Sequence, residues 1–172
     1  GGWARVFARS PIAMGIAVDF RYVHVNEAYC QLVGRPFQEL VGTDARALFP
    51  PDSQVPLQEV TDAVRRGAPR IHLDAPFVRP DGEVRWASID AFLVAEDEET
   101  GQVTTVIQAT DITDEHETRE QEAASERRFR KLLINSRDVV TLIDGDGELV
   151  YTTVQQTGAL GYGQDYWNGI HP

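Results

Sequence analysis

Cysteine is nearly absent from this sequence of 172 residues, since Cys30 is the only one. A single cysteine excludes a disulfide within the chain, and it excludes a cysteine cluster that would hold zinc or an iron–sulfur centre. Long apolar runs are also missing, because no stretch approaches the roughly 18 residues that suggest a membrane span. The N-terminus lacks the basic-then-apolar pattern of a secretion signal. These absences predict a cytoplasmic protein with no membrane insertion in this chain.

Positive charge is scarce as well. The chain has 16 Lys and Arg residues against 27 Asp and Glu residues, which gives a formal net charge of -11. An acidic balance of this size disfavours a nucleic-acid or anionic-membrane partner, whose phosphates would repel the protein. Hydrophobic residues make up 42% and charged residues 25% of the chain, as in ordinary globular proteins. The sequence therefore predicts a folded protein with a real core that does not bind nucleic acid.

The order of short patterned segments predicts the fold class. A short helix at residues 3–9 precedes two strands, 14–18 and 22–25, which are joined so tightly that they predict a hairpin. Asn26 then caps a helix that ends at Gly34, and further short helices lead to an amphipathic helix at residues 56–66. Three strands complete the pattern, at residues 70–78, 84–94 and 101–113. Two strands, then helices, then three strands are typical of an α+β domain with an antiparallel sheet.

The last of these strands passes without a break into a charged segment. Thr113 is predicted to be the N-cap of the next helix, with its hydroxyl accepting from an amide of the first turn. Asp114 and Glu115 follow at the positive end of the helix dipole. Residues 114–133 are therefore predicted to form a linker helix, either solvated along its length or paired in a dimerising coiled coil.

Residues 134–172 repeat features of the beginning of the chain. Two short apolar segments turn at residues 144–147 and predict another hairpin. Gly161 and Gly169 lie at the same spacing as Gly34 and Gly42, and Thr153 falls where Asn26 stands in the first copy. This pattern predicts the start of a second domain of the same type.

Alternation along the three late strands predicts one face that looks into the domain. Four of its residues are alanine, which either lets the helices settle close to the sheet or leaves a cavity for an apolar ligand with one or two polar groups. Both interpretations remain open. The predicted inward residues are Ile71, Leu73, Ala75 and Phe77, then Ala87, Ile89 and Ala91, then Thr105, Ile107 and Ala109.

The opposite face of the sheet carries Val84, Trp86 and Phe92, which is too much apolar surface to leave exposed. We expect it to be covered by the helix at residues 3–9, which brings Trp3 and Phe7, by a second subunit, or by both. A homodimer is predicted through this helix, through the outer sheet face, through the linker helix, or through a combination of them.

Candidate catalytic and metal-ligating residues are few. Asp74 and Asp90 are strand carboxylates that could move a proton, but alternation places both on the face opposite the inferred pocket. The sequence shows no Ser-His-Asp, Cys-His or histidine-cluster pattern. His24 and His72 lie in predicted strands, where a histidine is more often hydrogen-bonded than bound to a metal. The chain is therefore predicted to have no catalytic and no metal site, with a small cavity enzyme as an alternative.

Three segments in the right order resemble a PAS domain with its PAC segment. They are VNEAYCQLVGR at residues 25–35, FVRPDGEVRW at residues 77–86, and DIT at residues 111–113. The resemblance covers residues 3–113 and implies a five-stranded antiparallel sheet with helices on one face around a small-molecule pocket. It also implies a sensory or regulatory module that pairs as a dimer and signals through a helix. The expected output domain is a histidine kinase or a cyclic-di-GMP enzyme. The alternative function for the domain itself is protein interaction or dimerisation without a ligand.

Departures from the family pattern narrow the choice of possible cofactors. In the flavin-binding subclass the photoactive cysteine lies three residues after the glycine matching Gly42, and here that residue is Ala45. That subclass also has an inward glutamine two residues before the Asp of the DIT segment, where this chain has Ala109. Haem-binding members use a histidine in the long helix, and residues 56–66 contain none. The cofactor is therefore unknown, covalent flavin and haem are disfavoured, and Ala45 joins the pocket candidates.

The resemblance also suggests how a signal leaves the sheet. Asp111 is expected to pair with a basic residue on the neighbouring strand, and Arg85 is the candidate within reach. Together with Thr113 these residues are the predicted signal-coupling group.

Overall fold

The computed structural model describes residues 1–135 and 141–152 of the chain. The chain divides into two compact units, Gly1–His116 and Glu117–Pro172. The elements of the first unit follow the predicted order. They are α1 (Gly2–Arg9), β1 (Ala13–Val18), β2 (Arg21–Val25), α2 (Glu27–Val33), α3 (Phe37–Leu40), a 3-10 turn (Ala45–Leu48), α4 (Leu57–Arg65), β3 (Arg70–Val78), β4 (Val84–Glu96) and β5 (Val103–Asp111), after which α5 (Thr113–Asn135) begins.

The five strands form one antiparallel sheet in the order β2-β1-β5-β4-β3. The five-stranded antiparallel sheet expected from the sequence is therefore confirmed. The last strand, β5, lies in the middle of the sheet between β1 and β4. Its central place means that β5 contacts both halves of the domain before it passes into α5.

The β1–β2 hairpin turns at Asp19 and Phe20, whose φ angles are 47° and 69°. Two consecutive residues with positive φ give a turn that matches the twist of the strands it joins. The Asp19 amide donates to Val103 O at 2.9 Å, and its carboxylate accepts from Val103 N at 3.0 Å. The hairpin tip is thereby fixed to the first residue of β5.

The core lies between the sheet and the helices, on the face that alternation predicted. Tyr22 and Leu40 are the largest fully buried side chains, and Tyr29 and Val33 reach the same cluster from α2. Burying a side chain the size of Leu40 stabilises the fold by roughly 1.5–3 kcal/mol. The helices are therefore held to the sheet mainly by apolar contacts.

The second unit contains the continuation of α5 and a hairpin of β6 (Thr141–Ile143) and β7 (Leu149–Thr152). The Asp144 carboxylate accepts from the amides of Asp146 and Glu148, both at 2.9 Å, and so shapes the turn. The hairpin predicted here is confirmed. Thr153, Gly161 and Gly169, which carry the rest of the predicted repeat, lie outside the described residues.

Within these described residues, no helix combines the length and the apolar character that crossing a membrane would require.

Candidate functional site

A cavity of about 80 Å³ lies between the inner face of the sheet and the helices. Every predicted inward residue except Ala75 lines it, and Ala45 does as well. Ala75 is fully buried and is not among the residues that line the cavity. The lining is completed mainly by residues of the helices and of the β1–β2 hairpin, among them Ala17, Phe20, Tyr22, Tyr29, Leu32, Val33, Arg46, Leu48, Phe49, Val60 and Val64.

Small residues on β1 create the room for the large side chains beside them. Ala17 pairs with Tyr22 on one side and with Thr105 on the other, so a single methyl group separates these two side chains in the sheet. The Tyr22 ring crosses Gly15, where an added Cβ would lie 3.2 Å from Cε1 of the ring. Because that distance is shorter than an ordinary van der Waals contact, glycine at this position lets the ring approach the β1 backbone.

Two tyrosine hydroxyls meet at the wall of the cavity. Tyr22 Oη and Tyr29 Oη are 2.5 Å apart, and both residues are buried. Burial raises the pKa of Tyr22, and it raises the pKa of Tyr29 to about 12. Both phenols are therefore neutral at physiological pH, and they act as hydrogen-bonding groups rather than as charges. Sequence reasoning did not single out either residue, and burial along β2 does not alternate, since Tyr22 and Val25 are buried while Val23 and His24 are exposed.

Arg46 brings a charge to the cavity rim, where it is already paired. Its guanidinium donates to both carboxylate oxygens of Asp44, at 2.9 and 2.7 Å, and to Thr61 Oγ1 at 3.1 Å. It also lies over the Phe20 ring, with Cζ 4.2 Å from the centroid. The hydrogen bond from Arg46 lowers the pKa of Asp44, so this carboxylate stays charged and neutralises the guanidinium.

The predicted Arg85–Asp111 pair is in contact between β4 and β5, beyond the residues of these strands that line the cavity. Arg85 Nη2 and Nε donate to Asp111 Oδ2 at 2.6 and 2.9 Å. Asp111 follows Ala109 by two residues, and Arg85 precedes Ala87 by two, so the pair lies on the same face as the cavity. Each member of the ion pair is therefore two residues along its own strand from a residue that lines the cavity.

Asp111 also joins the sheet to α5. Its Oδ1 accepts from the Thr113 amide at 3.0 Å and from the Thr113 hydroxyl at 2.6 Å. Partial burial raises the pKa of Asp111, but the hydrogen bonds from Thr113 and the pairing with Arg85 outweigh burial and leave that pKa below its usual value. The carboxylate is therefore a stable anion that holds β4, β5 and the helix start together.

The predicted N-cap role of Thr113 is wrong. Thr113 is the first residue of α5, and its hydroxyl accepts from the Trp86 amide on β4 at 3.0 Å rather than from an amide of the first helical turn. At the helix start the acceptor is supplied by Asp111 instead, because its carboxylate lies two residues earlier and accepts from the Thr113 amide. Thr113 thus ties the helix start to the neighbouring strand.

The outer face of β4 is covered at Trp86 by the first turn of α5. The His116 ring stacks on the Trp86 ring with centroids 3.6 Å apart and planes 11° apart. Trp3, which was expected to help cover this face, contacts Phe7 of its own helix and is 63% exposed. Cover by a second subunit stays a prediction. Phe92, further along β4, has Arg70 above its ring at 5.8 Å.

Asn26 uses its whole hydrogen-bonding capacity at the junction of three elements. Its Oδ1 accepts from the amides of Tyr29 and Met14, both at 2.9 Å. Its Nδ2 donates to Phe7 O at 3.0 Å and to Ile12 O at 2.8 Å. The predicted cap of α2 is therefore confirmed, and the same side chain also fixes the end of α1 to the start of β1.

The outer face of β3 and β4 carries the two aspartates weighed as acid–base groups. Asp90 accepts from Arg70 at 2.7 Å and lies 3.1 Å from His72 Nδ1, while Asp74 lies 3.6 Å from His72 Nε2. Both carboxylates lie on the face opposite the cavity. Across the part of the chain that the structure describes, no cluster of three or more His, Cys, Asp or Glu side chains is arranged to hold a metal ion.

Comparison with known proteins gives one family and many structures. The model of the PAS fold family matches residues 10–117. The PAS domain of a protein from Colwellia psychrerythraea is 16% identical, with a TM-score of 0.56, and the match covers 66% of this chain and 96% of that one. The LOV domain of a blue-light activated histidine kinase from Erythrobacter litoralis is 22% identical, with a TM-score of 0.54 and coverage of 61% and 99%.

A third similar structure is the PAS domain, in complex with ethanol, of a LuxR-family transcriptional regulator from Burkholderia thailandensis. It is 16% identical, with a TM-score of 0.52, and the match covers 64% of this chain and 96% of that one. At identities this low, the structural similarity shows a shared fold and no more. No match was found among curated protein sequences.

Proposed function

Because this chain belongs to the PAS fold family, we propose that its first unit is a sensory domain that binds a small molecule in the cavity. Binding alters the inner face of the sheet, and β5 passes the change into α5. The output domain, a histidine kinase or a cyclic-di-GMP enzyme, belongs to the full-length protein. One similar structure is a LOV domain of a histidine kinase and another is a PAS domain in complex with ethanol, which supports both parts of the proposal.

The observation that carries the proposal is the continuity of β5. Thr105, Ile107 and Ala109 line the cavity, and Asp111 on the same strand face holds the first residue of α5. A single residue, Ile112, separates strand from helix, and its amide donates to Trp86 O at 2.9 Å. No flexible segment intervenes, so a shift of the lining is transmitted to the helix start.

The test measures whether filling the cavity changes the start of α5. Xenon is a suitable probe because it enters apolar cavities without needing polar partners. Under xenon pressure we expect methyl NMR shifts at Ile71, Leu73 and Ile107. We also expect a change in hydrogen exchange at the His116 amide, which donates to Ile112 O at 2.8 Å. Absence of methyl shifts, or shifts without any change at His116, would contradict the proposal.

Two matched variants locate the route of the signal. Asp111→Asn removes the carboxylate at the helix start, and Asp90→Asn removes the other aspartate that pairs with an arginine across neighbouring strands. We expect xenon to enter the cavity in both variants, since neither residue lines it. The response at His116 is expected to be lost in Asp111→Asn and retained in Asp90→Asn. Equal responses in the two variants would show that Asp111 does not couple the cavity to the helix.

Self-association is a second candidate function, favoured by the exposed apolar side chains at the N-terminus. Trp3, Val6 and Ile12 are 63%, 73% and 50% exposed. We propose that this surface pairs with its copy in a homodimer. Sedimentation of the wild-type chain and of a Trp3→Ser, Val6→Ser variant tests this, and a monomer at all concentrations in the wild type would rule it out.

A further inference from the structure

Thr105 lines the cavity, and its hydroxyl has no hydrogen-bond partner among the described residues. Thr105 lies on β5, lines the cavity and is 9% exposed. Within residues 1–135 and 141–152, no group forms a hydrogen bond with its Oγ1. A threonine hydroxyl can donate one hydrogen bond and accept two. The inner surface therefore carries an unused donor and acceptor.

The tyrosine pair leaves a second unused donor at another part of the wall. Each phenol has one O–H, and the Tyr22–Tyr29 contact uses the proton of one partner. Whichever tyrosine donates, the O–H of the other has no acceptor among the residues that the structure describes. Because both phenols are protonated and lie in the cavity wall, one O–H remains available to a bound molecule.

The cavity offers little to a charged ligand. Among the described residues that line it, Arg46 alone is charged, and Asp44 neutralises it. An ion placed against the remaining apolar wall would lose its hydration without gaining a counter-charge. The volume of about 80 Å³ is also below the roughly 150 Å³ of a cavity that holds one benzene molecule.

We propose, building on ligand binding as the function, that the cavity selects a small uncharged molecule with an apolar body and an oxygen that accepts a hydrogen bond. Short-chain alcohols and ketones have this chemistry. The oxygen accepts from Thr105 or from the free phenol of the tyrosine pair, and the carbon atoms contact the alanine-rich wall. An alcohol can in addition donate to Thr105.

The binding test compares probes of similar size and different polarity. Acetone and 1-propanol carry the oxygen, propionate adds a charge, and xenon has neither. Binding is followed by methyl NMR shifts at Ile71, Leu73 and Ile107, which line the cavity. We expect saturable shifts with acetone, 1-propanol and xenon and none with propionate.

Two variants remove the hydroxyls while keeping the shape of the wall. Thr105→Val replaces a hydroxyl by a methyl group, and the Tyr22→Phe, Tyr29→Phe double variant removes both phenols. Replacing both partners of a buried hydrogen bond by apolar groups of the same shape costs little stability, so the double variant should fold. Loss of one hydrogen bond is expected to weaken acetone or 1-propanol about fivefold to tenfold in at least one variant, with xenon binding unchanged.

The outcomes separate this inference from the function on which it rests. If xenon binds but the oxygen-bearing probes do not, or if both variants bind them as well as the wild type does, the hydroxyls do not select the ligand and the inference is wrong. Binding of propionate at comparable affinity would likewise overturn it. If no probe, xenon included, produces shifts at the lining methyl groups, ligand binding itself is wrong.

Discussion

Two arginine–aspartate pairs join β4 to its neighbours on opposite faces of the sheet, and they differ in their surroundings. Arg85 and Asp111, on the cavity face, have side chains 25% and 29% exposed, while on the outer face Arg70 is 60% and Asp90 25% exposed. Asp111 also accepts from the amide and the hydroxyl of Thr113, whereas Asp90 adds a contact with exposed His72. The same residue types therefore join the sheet to a helix start on one face and form a pair with an exposed arginine on the other.

The difference extends to the other polar groups on the cavity side. Asn26 and the tyrosine pair are buried and join separate elements, while the polar side chains of the outer face contact residues on their own or adjacent strands. Removing the partner of a buried polar group lowers the free energy of unfolding, whereas an exposed polar group that loses its partner forms hydrogen bonds with water instead. Substitutions on the cavity side should therefore cost more, and the following predictions test that contrast.

The largest effect is expected for Asn26→Ala. It removes the cap of α2 and leaves the backbone groups that Asn26 satisfies between α1 and β1 without partners, so we expect a loss of about 3 kcal/mol in the free energy of unfolding. Asp97→Ala is the control, because its carboxylate also accepts from two backbone amides, those of Glu99 and Thr100, in an exposed turn. Urea unfolding should show a much smaller shift for the control. Equal shifts would contradict the contrast.

The next largest loss of stability is expected for Tyr29→Phe, and the double substitution of the tyrosine pair should largely restore it. Tyr29→Phe leaves the buried Tyr22 hydroxyl without its partner, which we expect to cost about 2 kcal/mol in the free energy of unfolding. Adding Tyr22→Phe removes the orphaned group and should return stability to within about 1 kcal/mol of the wild type. Thermal unfolding of the two variants measures both values. A double variant that is less stable than Tyr29→Phe would show that the hydroxyls contribute net stability.

The groups that the sequence did and did not predict differ in how far apart their partners lie. Alternation along a strand is local, so the inward rows could be predicted from it. The Arg85–Asp111 contact joins two strands and was predicted only from the resemblance to the PAS family. The link from Asn26 to Phe7 spans a helix end and a loop, and no local pattern encodes it. The Tyr22–Tyr29 contact likewise depends on how α2 packs on β2. The Thr113 hydroxyl was misassigned because its partner, the Trp86 amide, lies on another strand.

The pH dependence of stability should distinguish the two ion pairs. The folded-state pKa of Asp111 lies below the unfolded value of about 3.9, so its stabilisation is present above that pH and is lost as pH falls through the folded value. Asp111→Asn should cost about 1 kcal/mol at pH 7, and the difference from the wild type should shrink below about pH 4.

Asp90→Asn is the control for the acid experiment. The hydrogen bond from Arg70 also lowers the pKa of Asp90, but the exposed guanidinium limits the gain, and we expect a loss of at most about 0.5 kcal/mol. Urea unfolding midpoints between pH 2.5 and 7 measure both variants. A pH-independent gap between Asp111→Asn and the wild type would show that the carboxylate charge does not stabilise the junction.

The smallest effect is expected at the contact between Trp86 on the outer face and His116 of α5. His116→Ala removes the stack on Trp86, and we expect a loss of about 0.5 kcal/mol and faster hydrogen exchange at the first turn of α5. His116→Phe should restore both, because a ring is kept over the indole. His72→Ala is the control, since that exposed histidine lies on β3 and contacts carboxylates instead. If exchange at the helix start is the same in His116→Ala and the wild type, then the cavity-face contacts of Asp111 hold α5 without help from the outer face.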